Sequence, residues 1–226
     1  MESTSQKPHY LATCTLACAL AAGALPAHAA VLDFSGDICG PGGDSVCFDG
    51  SIIGPGYGDV AGVLDVQYRD LLNNPSATSL FFWRGDYNNL IGVAWAGGGD
   101  SGSRAEIFLK PLNGEVVTLK SFDLGAFPNT QLTTSFTILD GNGNLLADSG
   151  GVITIGVQPG NLRSEFDFTG QGIASASGIR IQWGPSAFNV GIDNIEFNVS
   201  PVPLPAPAWL LGGGLLTLAA RRRRAG

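Results

Sequence analysis

The sequence predicts an all-β protein built as an antiparallel β-sandwich or jelly roll. Glycine accounts for 33 of the 226 residues, about twice its usual share of ~7%, and only 14% of the residues are charged. These two biases disfavour helical bundles and favour a chain with many turns. Short apolar or alternating runs bounded by Gly, Asn, Asp or Pro recur, and no long run has a convincing helical period.

The composition divides the chain into three parts. Residues 1–29 predict a secretory signal peptide, residues 30–200 the β-sandwich domain, and residues 201–226 a Pro-rich motif followed by a short hydrophobic helix and an Arg tail.

The signal peptide prediction depends on one apolar run and the small residues that follow it. Leu11 to Leu25 is apolar, and the small residues Ala27 and Ala29 then predict cleavage before Ala30. An uncleaved anchor is the alternative, but the run is shorter than the ~20 residues of a membrane span.

Twelve strands are predicted in the domain, each bounded by turn-forming residues. They are Val31–Phe34, Val46–Ile53, Val63–Tyr68, Leu80–Trp83, Leu90–Ala96, Ala105–Leu109, Val116–Leu124, Thr133–Leu139, Val152–Val157, Ser164–Phe168, Ile179–Trp183 and Ile192–Val199.

The best local hairpin spans Thr133–Ser149. Its centre, Asp140-Gly141-Asn142-Gly143-Asn144, supplies residues that adopt positive φ at little cost, as tight hairpins require. The same residues resemble the start of an EF-hand calcium loop, but Gly151 stands where that loop needs a carboxylate. A plain turn is therefore favoured.

Cys39 and Cys47 are the two cysteines beyond the predicted signal peptide, and they bracket a Gly-rich loop. In an exported chain this spacing predicts a local disulfide that holds the N-terminal loop. A reactive pair is the alternative, but seven intervening residues match no redox motif.

Charge and histidine distribution exclude several classes of function. Residues 30–200 contain 18 acidic and 7 basic residues, a net charge of −11. Glu2, Lys7 and the four C-terminal arginines lie outside this range. This acidity argues against a nucleic-acid partner.

Both histidines precede Ala30, which excludes Ser-His-Asp and Cys-His catalysis and His-ligated zinc in the domain. No enzyme activity is predicted, and a carboxylate-dependent glycoside hydrolase is a remote alternative.

One predicted hairpin loop combines aromatic, charged and amide side chains. Its candidate ligand-binding residues are Trp83, Arg84, Asp86, Tyr87 and Asn88. Carbohydrate sites pair aromatic faces, which cover apolar C–H patches, with polar groups that bind hydroxyls. The alternative is a polar hairpin loop with Trp83 in the core. Trp95 and Trp183 lie on apolar strands and are predicted to be core residues.

The last predicted strand carries an acidic residue on its apolar face. Asp193 has the parity of Ile195 and Phe197, so its side chain is predicted to face inward. An inward carboxylate is costly unless backbone N–H groups or a cation satisfy it. The alternatives are a bulge or hydrogen-bonded position at Asp193–Asn194, or a structural Ca²⁺ ligand.

Gly191–Phe197 resembles the closing strand of galactose-binding-like jelly rolls, a fold of many carbohydrate-binding modules, and Val116–Leu124 resembles a segment that recurs in PEP-CTERM proteins of this type. The resemblance implies a calcium ion that ties an N-terminal loop to the last strand. Asp193 would supply the last-strand ligand, and Asp33 or Asp37 the loop ligand. Apart from this calcium, no cofactor is predicted.

The C-terminal segment has three parts in a fixed order. They are the Pro-rich Val202, Pro203, Leu204 and Pro205, the apolar run Ala208–Ala220, and Arg221, Arg222, Arg223 and Arg224. The order resembles the PEP-CTERM sorting signal of Gram-negative bacteria, with Leu204 where the family has Glu. The resemblance implies recognition and cleavage by an exosortase, a membrane cysteine protease; an ordinary tail anchor is the alternative.

These features predict an exported, non-enzymatic protein associated with exopolysaccharide in a Gram-negative bacterium. It would pass through an inner-membrane intermediate to the cell surface or extracellular matrix. Its partners would be the secretion machinery, an exosortase and extracellular polysaccharide, with no nucleic acid. The alternative function is that of a carbohydrate-binding module, with or without a stabilising calcium ion.

Overall fold

A computed structural model describes residues 28–72, 80–99, 102–157 and 159–201. Every regular element in these ranges is a β-strand, which confirms the predicted all-β class. The strands are β1 (His28–Leu32), β2 (Leu64–Asp70), β3 (Phe81–Tyr87), β4 (Leu90–Trp95), β5 (Ala105–Pro111), β6 (Glu115–Ala126), β7 (Leu132–Asp140), β8 (Leu145–Asp148), β9 (Ile153–Ile155), β10 (Ser164–Asp167), β11 (Ala174–Ser175), β12 (Ile179–Gly184) and β13 (Val190–Pro201).

The strands form two antiparallel sheets that pack as a β-sandwich. The seven-stranded sheet has the order β10-β6-β13-β4-β3, with β1 paired to β13 and β11 paired to β6. The six-stranded sheet has the order β2-β5-β12-β7-β8, with β9 paired to β7. The two twelve-residue strands, β6 and β13, lie side by side in the first sheet and give it a long outer face.

The core lies between the sheets and is filled by alternate residues of each strand. In β2, Leu64, Val66 and Tyr68 are each 1% exposed, because alternate side chains of a strand point to the same face and this face is covered by the core. Across the core, the ring centroids of Phe122 in β6 and Phe136 in β7 lie 5.2 Å apart, with the rings at 88°. This edge-to-face contact joins the two sheets.

The predicted hairpin at Thr133–Ser149 is formed by β7 and β8. Asp140 Oδ1 accepts hydrogen bonds from the backbone N–H groups of Asn142 and Asn144, both at 2.8 Å, and Asp140 Oδ2 accepts one from Asn144 Nδ2. The bonds from Asn144 in particular lower the pKa of the exposed Asp140 carboxyl. The carboxylate therefore closes the turn, as the plain-turn interpretation requires.

The predicted strand Val46–Ile53 is wrong, because this segment forms a turn and isolated bridges rather than a continuous strand. Cys39 and Cys47 form a disulfide, which confirms the predicted pairing. Only single bridges link the segment to its surroundings, such as Cys39 to Ile53 and Ile52 to Phe81. A turn interrupts the segment instead: the Ser51 N–H donates to the Phe48 backbone oxygen at 2.8 Å, and Gly50 has a φ of 82°.

A bulge in β13 overturns the prediction that Asp193 faces the core. Ile192 pairs with Leu124 of β6, and both side chains are fully buried, so Asp193 lies on the outer face. The register then shifts between Asp193 and Glu196. This extra residue returns Ile195 to the core, so Asp193 and Ile195 do not share a face. The alternative of a bulge at Asp193–Asn194 is confirmed.

The predicted start of the mature chain lies within β1. Cleavage before Ala30 would leave Ala30–Leu32 paired with residues 195–197 of β13. Ala27 and the residues before it, and the sorting motif from Val202 to Arg224, lie outside the described residues. In the described part of the chain, no helix has the length and apolar character needed to cross a membrane.

Candidate functional site

The β3–β4 hairpin places two of the predicted ligand-binding residues on the outer face of the seven-stranded sheet. Phe82 pairs with Ala94, and both are fully buried in the core. Because neighbouring side chains alternate, Trp83 stands on the opposite face beside its partner Val93. Tyr87 follows an irregularity in the pairing and packs into the same small apolar cluster as Trp83.

Five aromatic rings form a cleft on this outer face, which we name the aromatic cleft. Its lining residues are Trp83, Tyr87, Trp95, Phe127, Phe188 and Asn189. The ring centroid of Phe127 lies 5.7 Å from that of Trp83 and 5.4 Å from that of Tyr87, so it joins the two predicted residues. The cleft has a volume of about 60 Å³, which admits the edge of a ring rather than a whole ligand.

The two tryptophans predicted to be core residues have different environments. Trp183 is 2% exposed, as predicted, and its Nε1 donates to the backbone oxygen of Val190 at 2.8 Å. Trp95 instead lies half-buried in the aromatic cleft, where its ring meets that of Phe188 at 90°. Trp95 Nε1 is buried and has no hydrogen-bond partner among the described residues. An unsatisfied buried donor costs about 1–3 kcal/mol.

The other three predicted ligand-binding residues do not line the aromatic cleft. Arg84 is exposed, its backbone N–H donates to Asp49 Oδ1, and its guanidinium lies over the ring of Phe82, 5.7 Å from the centroid. Asp86 is exposed and accepts a hydrogen bond from Asn129 Nδ2 at 3.0 Å. Both residues therefore belong to the rim of the hairpin.

Asn88 has a structural role. Its side chain is 8% exposed, its Oδ1 accepts from the backbone N–H of Ala126 at 2.7 Å, and its Nδ2 donates to the backbone oxygen of Thr130 at 3.1 Å. These bonds tie the β3–β4 turn to the loop that carries Phe127. Asn88 thus positions one wall of the aromatic cleft without lining it.

The Tyr87 hydroxyl holds another wall of the aromatic cleft. It donates to the backbone oxygen of Phe188 at 2.9 Å. Burial raises the pKa of Tyr87 far above that of a free phenol, so the hydroxyl stays protonated and keeps donating at any physiological pH.

The predicted calcium ligands Asp33 and Asp193 line one cavity of about 120 Å³ on the same outer face. Asp193 Oδ1 accepts from the backbone N–H groups of Phe34 at 3.0 Å and Asn194 at 2.8 Å, which ties the N-terminal loop to the last strand without an ion. Asp37 is exposed and is not among the lining residues of that cavity.

The Asp193 carboxyl is electrostatically strained. Its pKa is raised to about 7, chiefly by burial and also by the nearby carboxylates of Asp33 and Asp123, against the lowering effect of its two backbone hydrogen bonds. Within the described ranges, no three His, Cys, Asp or Glu side chains are grouped closely enough to hold a metal ion. Calcium prefers six to eight oxygen ligands, so carbonyls or water would have to complete a site built on Asp33 and Asp193.

No protein-family model matches the chain, and no curated protein matches it.

Four lining residues of the aromatic cleft were missed by sequence reasoning: Trp95, Phe127, Phe188 and Asn189. Trp95 could have been found, because the antiparallel hairpin pairs it with Phe81, and Phe81 has the same parity as Trp83. Phe127 and Phe188 flank strands in loops, and their approach to the hairpin depends on contacts between distant segments.

Proposed function

We propose that this protein is an exported, non-enzymatic glycan-binding protein that associates with exopolysaccharide at the cell surface or in the extracellular matrix. The observation that carries the proposal is the aromatic cleft, a cluster of five rings that includes Trp95, whose Nε1 is buried and unsatisfied. Aromatic faces cover the apolar C–H patches of a sugar, and an indole N–H donates to a sugar oxygen. A sugar residue that inserts one edge into the cleft would satisfy both requirements.

The location part of the proposal is supported by the disulfide. A bond between Cys39 and Cys47 indicates an oxidising compartment. The signal peptide and the PEP-CTERM-like segment predicted at the chain ends agree with export from a Gram-negative cytoplasm and sorting by an exosortase at the inner membrane. The resemblance of the last strand to galactose-binding-like jelly rolls supports a jelly-roll topology for the sandwich.

The proposal includes no reaction at the aromatic cleft. A glycoside hydrolase needs two carboxyl groups beside the bound sugar, and none of the lining residues carries one. Release of reducing sugar from a bound glycan would support the hydrolase alternative instead.

Calcium enters the proposal as a stabilising ion at Asp33 and Asp193. Its test is the melting temperature, which should rise with CaCl₂ relative to EDTA in the wild type and not in Asp33→Asn. Asp37→Asn, outside the cavity, serves as the control. A wild-type melting temperature that EDTA leaves unchanged removes calcium from the proposal.

The test of glycan binding uses the full chain on a glycan array and on exopolysaccharide from its host. We expect Trp83→Ala and Trp95→Ala each to weaken binding at least tenfold, about 1.4 kcal/mol. Arg84→Ala, which removes a neighbouring side chain outside the aromatic cleft, should leave binding unchanged. Trp83→Phe keeps a ring and separates lost contact from lost folding. Absence of glycan binding by the folded wild type, or equal loss in Arg84→Ala, contradicts the proposal.

A further inference from the structure

The size of the aromatic cleft limits which part of a sugar can enter it. Its volume of about 60 Å³ is roughly twice the ~30 Å³ that one water molecule occupies in the liquid. A pyranose, with its ring atoms and their substituents, does not fit into that space. The part that enters is therefore one small substituent at the edge of the ring.

The walls of the aromatic cleft are held by hydrogen bonds between segments distant in sequence. The Tyr87 hydroxyl donates to the backbone oxygen of Phe188 at 2.9 Å, and the N–H of Phe188 donates to Ser103 Oγ at 2.7 Å. The N–H of Phe127 donates to the backbone oxygen of Asn189 at 2.8 Å. Widening the cleft would break such bonds, and Ser103 is fully buried, so its lost bond would not be replaced by one to water. The cleft therefore selects by size.

The lining of the aromatic cleft offers little to a polar substituent. Five of its six residues are aromatic, none is charged, and Asn189 is the sixth. Among the five rings only Tyr87 carries an oxygen, and its hydroxyl is directed at the backbone of Phe188. A sugar hydroxyl that entered would give up hydrogen bonds to water, and its proton would meet few acceptors. A methyl group has no such bonds to lose and buries apolar surface against the rings.

The apolar surface continues beyond the aromatic cleft along the same outer face. The ring centroid of Phe81 lies 5.1 Å from that of Trp95, and Phe81 is bridged in turn to Ile52, which is 54% exposed. Contiguous exposed apolar surface marks a contact site. The units of a polymer next to the one in the cleft would therefore also meet apolar side chains, which favours a glycan that presents apolar groups repeatedly.

We propose that the aromatic cleft binds the C6 methyl group of a 6-deoxyhexose, so that the glycan it takes is a polysaccharide with exposed 6-deoxyhexose residues. This inference rests on the proposed function and adds the chemical class of the sugar. In a 6-deoxyhexose the methyl group is bonded directly to ring carbon C5, so it enters with no polar atom attached to it. An acetyl methyl is bonded to a carbonyl carbon, whose oxygen would have to enter as well.

The expected selectivity follows from comparison with the parent hexose, which differs only by a hydroxyl group on C6. A hydrophobic pocket rejects an analogue that merely adds a hydroxyl by about 100-fold. Because the C6 hydroxyl can also turn towards the open side of the cleft and keep some water, we expect a preference of at least tenfold for the methyl group.

The experiment measures how well free sugars displace the full chain from the exopolysaccharide of its host. Two matched pairs differ only at C6: L-fucose with L-galactose, and L-rhamnose with L-mannose. In at least one pair, the 6-deoxy sugar should displace half of the bound protein at a concentration at least tenfold below that of its partner. In saturation-transfer NMR with the aromatic protons of the protein irradiated, the C6 methyl of that sugar should receive the largest share of the transferred magnetisation.

Matched variants remove one ring inside and one ring outside the aromatic cleft. Phe127→Ala should weaken binding of the preferred 6-deoxy sugar at least tenfold in a saturation-transfer titration. Phe127→Leu keeps an apolar side chain at this position, and it should still weaken binding threefold or more if Phe127→Ala does not fold. Phe48→Ala removes a ring that is 75% exposed and does not line the cleft, so it should leave binding unchanged.

Several outcomes would overturn the inference. They are equal displacement within both pairs, tighter binding of N-acetylglucosamine than of either 6-deoxy sugar, a methyl signal no larger than that of the ring protons, and no effect of the Phe127 variants. Each of these leaves the proposed function standing if Trp83→Ala still weakens binding to the exopolysaccharide. A folded wild-type protein that binds no glycan removes both the inference and the proposed function.

Discussion

Asp123 and Asp193 face each other as cross-strand partners of β6 and β13 on the outer face of the seven-stranded sheet. Directly opposed like charges destabilise a sheet unless other groups compensate. Asp123 is compensated by Asn194 Nδ2 at 2.7 Å and by Arg163 Nε at 2.8 Å. Asp193 has only two backbone N–H groups, so the electrostatic strain of the pair is concentrated on it.

The strain at Asp193 predicts a protein whose stability falls as pH rises towards neutrality. Its folded pKa of about 7 lies above the ordinary aspartate value of 3.8, so between these values the folded state binds more protons than the unfolded state. The free energy of unfolding contributed by this group is therefore fully present below about pH 4 and is lost as pH rises through about 7. We expect a loss of at most about 4 kcal/mol, measured by urea denaturation in EDTA from pH 4 to pH 8.

Two variants separate the charge of Asp193 from its hydrogen bonds. Asp193→Asn keeps an oxygen for the N–H groups of Phe34 and Asn194 but does not ionise, so it should flatten the pH dependence and match or exceed wild-type stability at pH 8. Asp193→Ala loses the oxygen that accepts both backbone hydrogen bonds and should destabilise the protein by about 2 kcal/mol at pH 5. A pH profile of Asp193→Asn identical to that of the wild type would refute the assignment.

The disulfide should contribute measurably to stability through the unfolded state. Cross-linking Cys39 to Cys47, eight residues apart, restricts the unfolded chain by about 2–3 kcal/mol in the loop-entropy model. We expect the Cys39→Ser, Cys47→Ser double variant to lose about that much in urea denaturation. Wild-type protein under reducing conditions should show the same loss, and unchanged stability in both cases would contradict the prediction.

Replacement of Asn88 should destabilise the protein and deform the aromatic cleft. Asn88→Gly removes the bonds to Ala126 and Thr130 but tolerates the positive φ of 53°, so it should cost about 2 kcal/mol. Asn88→Ala should cost about 1 kcal/mol more, because a Cβ disfavours that conformation. The order of the two melting temperatures checks the argument; Asn88→Ala as stable as Asn88→Gly would disprove the backbone contribution.

A buried glutamate on the six-stranded sheet provides a further test. Glu106, 2% exposed, accepts from Arg180 Nη1 and Gln182 Nε2, both at 2.8 Å. Glu106→Ala leaves these donors without their acceptor, and we expect a loss of about 2–3 kcal/mol in urea denaturation. The surface pair of Asp65 and Lys110, 3.6 Å apart, is the control: Asp65→Ala should cost less than about 1 kcal/mol. Equal costs would show that burial of Glu106 does not matter.

Whether the environment of a residue could be predicted depends on how far away in sequence its contacting residues lie. The Asp140–Asn144 turn and the disulfide depend on groups within a few residues of each other, and both predictions are confirmed. The outward placement of Trp83 follows from strand parity. The aromatic partners Phe127 and Phe188 come from loops distant in sequence, and periodicity gives no information about such contacts.

The sequence by itself determined the all-β class, the cysteine pair and the chemistry available to any site, since composition, parity and local turns act over short distances. Only the tertiary structure decided that Asp193 faces outward across from Asp123, because one bulge residue in β13 reverses the parity of every position before it. It also decided that, of the five predicted ligand-binding residues in the β3–β4 hairpin, only Trp83 and Tyr87 line the aromatic cleft. The physical reason is that side chains on opposite faces of a strand cannot meet, whatever their proximity in sequence.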